Sequence, residues 1–138
     1  MKSIDISLIM PSALGSRVMS RDTVMKAMAQ NRNLHLQSVG SDDVESGSFK
    51  DMGATLVQLL CPKTTEAAVK GVCDVLKTVV KEAFETWRQR YQTKAELQKL
   101  VLLLGTKRTE LDLSMPLEKL VKQLETSSID ALKQIKSI

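Results

Sequence analysis

Hydrophobic and polar positions alternate along Ser3–Met10, with Ile4, Ile6 and Leu8 set against Ser3, Asp5 and Ser7. A period of two predicts a strand with one face buried. Pro11 and Gly15 end it in a short loop. A helix follows from Ser20, capped by that serine, with Asp22 in its first turn and Val24, Met25, Met28 and Ala29 as its apolar side. Leu34–Val39 returns to strand spacing with Leu34 and Leu36 inward. The pattern leaves open whether the first and second strands pair in parallel through a right-handed crossover or take another strand between them. Gly40–Asp51 is polar and acidic and reads as a surface loop. Gly53–Cys61 is apolar, β-branched and scarcely interrupted, the signature of a strand inside a sheet.

The period then changes to 3.6. From Thr65 to Tyr91 the apolar residues Ala68, Val69, Val72, Val75, Leu76, Val79, Val80, Ala83, Phe84 and Trp87 form one broad stripe. A helix of that span is about 40 Å long, enough to cross a small sheet. Thr64 or Thr65 caps its start, while Glu66 in the first turn and Arg88 and Arg90 in the last suit the helix dipole. Leu100–Leu104 is a buried strand. Gly105-Thr106-Lys107 is a turn, and Glu110–Ser114 alternates with Leu111 and Leu113 inward, so the two runs form a hairpin. Pro116 opens a helix carrying Leu117, Leu120, Val121 and Leu124. Ser127 or Ser128 caps a last short helix with Ile129, Leu132 and Ile135 as its apolar residues. The expected fold is a single α/β (α+β) domain over 1–138. It has one mixed sheet of about five strands, a long helix across one face, and the order β-α-β-β-α-β-β-α-α.

At 138 residues and 43% hydrophobic content, the chain builds a core without disulfides or metal. With 3% aromatics that core is aliphatic. The net charge of +4 divides into +1 up to Lys63 (7 basic, 6 acidic) and +3 beyond it (13 basic, 10 acidic), so no basic arm stands out. No uncharged apolar run approaches the length of a membrane span, and Met1-Lys2 leads straight into strand pattern without a signal peptide. Two cysteines, Cys61 and Cys73, read as buried thiols of a reducing cytoplasm.

Chemistry is sparse. His35 is the single histidine and alternates outward on its strand; nothing in its spacing ties it to a nucleophile. Cys61 and Cys73 lack the close spacing of a zinc site. The acids of Asp42-Asp43-Val44-Glu45 are adjacent, where a calcium loop needs alternation. No dinucleotide or phosphate-loop signature occurs, and no cofactor is expected. Two interaction readings remain. Asp42, Asp43, Glu45 and Phe49 in the polar loop, with the outer side of the long helix, are candidate partner contacts. Alternatively, Arg88, Arg90, Lys94, Lys107 and Arg108 form one basic corner next to Trp87 and Tyr91 and contact nucleic acid.

The stretch from Asp51 onward resembles a known family. Met52-Gly53 precedes an apolar strand, the long Ala/Val/Leu helix ends in Trp87-Arg88, and the hairpin LVLLL-GTKRT-ELDLS leads into a leucine-bearing helix. In these features the chain resembles the effector-associated constant component family, small bacterial domains related to the trypsin-co-occurring group. The resemblance implies a non-enzymatic adaptor in a bacterial conflict or defence system, acting with an effector such as a protease or an NTPase. Self-association into a homo-oligomer is compatible with that role. The family has no catalytic motif to carry over.

Overall fold

A computed structural model describes residues 3–31, 34–42, 54–61, 65–94 and 97–136, with side chains described outside 35–42, 54, 132 and 134–136. The elements run β1 (Ile4–Pro11), α1 (Ser12–Met19), α2 (Asp22–Gln30), β2 (His35–Asp42), β3 (Ala54–Cys61), α3 (Glu66–Arg90), β4 (Lys99–Leu104), β5 (Lys107–Asp112) and α4 (Leu117–Lys136). The strands lie in the order β2-β3-β1-β4-β5, and every neighbouring pair is antiparallel.

The sheet is therefore not mixed, and β1 and β2 are not paired. They run in the same direction with β3 between them, one of the two arrangements the pattern left open. β3 and β4 likewise flank β1 and are joined by α3. Two such crossovers make the split β-α-β-β-α-β connectivity of ferredoxin-like domains, extended here by β5 and α4.

Strand alternation decides which face is covered. Ile4, Ile6, Leu8 and Met10 of β1, Val57, Leu59 and Cys61 of β3, and Leu100, Leu102 and Leu104 of β4 are all buried on one face. α3 lies over that face with Val72, Val75, Leu76, Val79, Val80, Ala83 and Trp87 buried. Thr65 caps it as expected, accepting from the Ala68 N–H at 3.2 Å. Leu111 and Leu113 point inward, as their alternation predicts, and pack with Leu120 and Leu124 of α4 in the same core. Among the described residues no helix covers the opposite face. Its centre is a small apolar row of Ile9 and Val101, both buried, with half-buried Leu56 and Leu103.

Four expectations about the helices are corrected. Pro11 and Gly15 do not mark a loop: Ser12–Met19 is helical, and Gly15 is needed there because an added Cβ would lie 2.5 Å from Thr55 Cβ. Ser20 does not cap α2; its hydroxyl donates back to the Arg17 carbonyl, and α2 starts without a side-chain cap. On α2 the inward residues are Val24 and Met28, while Met25 is 56% exposed and Ala29 is exposed. At the C-terminal end there is one helix, not two. Ser127 and Ser128 are buried within α4, Ser128 donating to the Leu124 carbonyl at 2.9 Å and Ser127 sharing a hydrogen bond of 2.7 Å with Thr109. A serine with its hydroxyl so satisfied does not interrupt a helix.

Gly15→Ala forces Thr55 and the α1–β3 contact apart and is expected to destabilise the fold by about 1–3 kcal/mol. Urea unfolding followed by circular dichroism measures it, and an unchanged midpoint would refute the close approach.

Candidate interaction surfaces

Several residues singled out by chemistry turn out to be structural or scattered. Cys61 is fully buried and lines a small apolar cavity with Ile4, Ile6, Val69 and Val72. Cys73 is 6% exposed, and the two cysteines are not joined in a disulfide. His35 opens β2 opposite Leu60; its side chain lies outside the description. Among the described residues no cluster of histidine, cysteine and carboxylate side chains suits a metal ion. Asp42 ends β2 opposite Ala54, so it belongs to a strand and not to the loop. Asp43, Glu45 and Phe49 lie outside the described residues.

The five basic candidates do not form one corner. Arg88 and Arg90 close the C-terminal end of α3, where the Arg88 guanidinium lies 4.7 Å from the centre of the Phe84 ring. Lys94 follows directly, and its carbonyl accepts a 3.3 Å hydrogen bond from the Trp87 indole N–H. Trp87 is buried, and the Tyr91 hydroxyl accepts from Arg17 Nε at 3.0 Å. Lys107 and Arg108 instead sit at the hairpin beside the other end of α3. Lys107 pairs with Asp130 at 3.7 Å, and the adjoining Leu104 shares a cavity with Val69, Ser128 and Ala131. Val69 and Arg88 are 19 residues apart on one helix, which separates the two groups by about 30 Å. Arg108 also pairs with Glu110 at 3.2 Å. Both groups follow the body of the long helix in sequence, but β4 carries the chain back along it before Lys107 and Arg108 are reached.

The outer side of α3, the other candidate contact, does form a site, because α4 runs antiparallel beside it. Between the N-terminal half of α3 and the C-terminal half of α4 lies a groove of about 570 Å³. Val69 and Cys73 form its buried floor. Its rim carries Glu66, Lys70, Asp74 and Lys77 from α3, and Glu125 and Lys133 from α4. Ile129 stands in the wall with 52% of its surface exposed. Ile129, an apolar residue of the expected last helix, stays outside the core that Leu120, Leu124 and Ala131 join. The stripe Leu117, Leu120, Leu124 continues at helical spacing through Ser127, Ser128 and Ala131, and Ile129 falls off it. That periodicity was the available signal, masked by reading the serines as a cap.

Lys77 ties the groove's two walls together. Its ammonium lies 2.9 Å from a Glu125 carboxylate oxygen and 3.8 Å from one of Asp74. The Glu125 hydrogen bond holds the Lys77 pKa above its ordinary value, outweighing the opposing effect of burial. A raised value means that the pair stabilises the fold at neutral pH and that this contribution fades as alkaline pH deprotonates the amine. The pair is exposed, so its contribution is below about 1 kcal/mol.

Comparison with family models, curated proteins and solved structures found no match.

The groove makes Cys73 the more accessible thiol. Iodoacetamide applied to the folded protein, read by peptide mass spectrometry, is expected to label Cys73 ahead of Cys61 and both far more slowly than in urea. Faster reaction at Cys61 would contradict the placement of the groove floor.

Proposed function

We propose that this chain is a non-catalytic protein-interaction module, an adaptor that couples to an effector in a bacterial defence or signalling system. The half-exposed Ile129, standing beside the Val69–Cys73 floor inside a rim of alternating charge, carries this reading. Protein interfaces pair an apolar centre with a polar periphery. The rim holds three lysines and three carboxylates, a balance that suits a protein partner better than the uniformly negative surface of nucleic acid or anionic lipid. The resemblance to the effector-associated constant component family supports the same role and suggests a protease or an NTPase as the effector. The separation of the two basic groups weighs against a nucleic-acid module. So does the face of the sheet that no described helix covers, where the described residues of β1, β3, β4 and β5 offer no aromatic side chain for base stacking.

A partner bound at the groove is expected to be lost when its apolar contact becomes charged. Tagged wild-type protein and Ile129→Glu are compared by affinity capture from native cells, with nuclease treatment throughout. Ile129 is exposed, so the variant keeps its fold and its thermal midpoint. Retention of the same effector by both proteins would move the contact away from the groove, and nuclease-sensitive capture would retire the adaptor reading.

A further inference from the structure

We propose that the outer edge of β5 pairs with the β5 edge of a second copy of this chain, in antiparallel register centred on Thr109, joining two sheets into one. The pattern of the hairpin exposes the necessary backbone groups. Gly105, with φ +60°, and Thr106 form a two-residue turn between paired Leu104 and Lys107. Positive φ at the first central position is what a II′ hairpin turn requires. The pair that closes such a turn exchanges both of its hydrogen bonds, and bonded pairs then recur at every second residue. Lys107, Thr109 and Leu111 therefore bond to β4, whereas the N–H and C=O groups of Arg108, Glu110 and Asp112 face away from it. Two bonds beyond the strand agree with this parity. The Leu113 N–H donates inward to the Gln98 carbonyl at 2.7 Å, and the outward Asp112 carbonyl accepts from Met115 N–H at 3.0 Å. Arg108 and Glu110 are left with both backbone groups at an edge where, among the described residues, no further strand lies.

Room for a strand exists on the helix side. A cleft of about 450 Å³ runs between Lys107–Glu110 and α4, and Gln123 and Thr126 line it. Gln123 Oε1 is shielded from solvent there and has no hydrogen-bond partner among the described residues.

Charge selects the occupant. In the register centred on Thr109, Arg108 faces the partner's Glu110 and Glu110 faces the partner's Arg108. Both are hydrogen-bonded pairs, so four backbone bonds and two opposite-charge contacts form at once. Shifting the centre to Glu110 or to Arg108 sets like charges opposite each other, and the first of these also needs the Asp112 carbonyl that Met115 already occupies. Charged residues on an edge strand ordinarily discourage pairing. Here their signs complement a second copy in one register. The other edge is less suited to pairing, since the β2 register breaks between Leu36 and Ser38.

The test is analytical ultracentrifugation of the full chain, from sub-micromolar to high-micromolar concentration. Wild-type protein is expected to dimerise reversibly, with weaker association at high salt. Arg108→Glu and Glu110→Arg should each weaken self-association about tenfold or more, since two like-charge pairs replace two opposite ones. An equimolar mixture of the two variants should restore association as a heterodimer. Glu110→Pro removes an N–H that β4 does not use, so it should weaken the dimer while circular dichroism stays unchanged. Wild-type protein that remains monomeric throughout, or a dimer indifferent to all three substitutions, would overturn the proposal. Loss of effector capture by Ile129→Glu without change in self-association would leave it standing.

Discussion

The apolar stripe of α3 lies across one face of the sheet and gives the strands beneath it their reason to be buried. Val72, Leu76, Val79, Val80 and Ala83 are all nearly inaccessible and share a core with Ile6 and Leu8 of β1, Leu59 of β3 and Leu102 of β4. Burying each such Val or Leu side chain is worth about 1.5–3 kcal/mol, so this contact outweighs any exposed ion pair in the molecule by a wide margin. The connectivity follows from it. α3 leaves β3 and must return to β4, and β1 lies between them with both its hydrogen-bonding edges occupied. α4 then needs a place against β5, and the space left beside α3 sets both its position and the groove between the two helices.

With one face covered by helices, contacts with other molecules fall to what remains. The groove offers an exposed isoleucine over an apolar floor, and β5 offers backbone groups at an open edge. These two sites use different physics. Burial of apolar area drives the first, while backbone hydrogen bonds with a charge register govern the second. They also lie on opposite sides of α4, whose residues Glu125 and Lys133 face the groove and whose Gln123 and Thr126 face the cleft beside β5. One copy can therefore engage an effector and its own twin together, which suits the adaptor role proposed.

Much of this architecture was legible in the order of residues. The alternation of β1, the capped and striped α3 and the inward Leu111 and Leu113 at the end of the hairpin needed only period and punctuation. What failed was local punctuation overridden by packing. Gly15 reads as a loop residue, yet it is small because α1 presses on Thr55. Ser127 and Ser128 read as a cap, yet each finds a hydrogen bond inside one continuous helix. Strand pairing was ambiguous because a crossover between strands of like direction reads the same whether they are adjacent or separated. The basic corner failed for a related reason: Arg88 and Lys107 are near in sequence, but the link after α3 leads into β4, which carries the chain back along the sheet before the hairpin turns.

Residue-resolved amide hydrogen exchange by NMR, on dilute protein and then on concentrated protein, tests the central claim of a helix-covered sheet with one usable edge. In dilute solution the amides of Thr109, Leu111 and Leu113 should exchange slowly and those of Arg108 and Glu110 quickly, with the α3 interior the most protected region. At high concentration Arg108 and Glu110 should become protected as well. Uniform protection along β5 at all concentrations, or slow exchange at Arg108 and Glu110 with fast exchange at Thr109, would contradict the account.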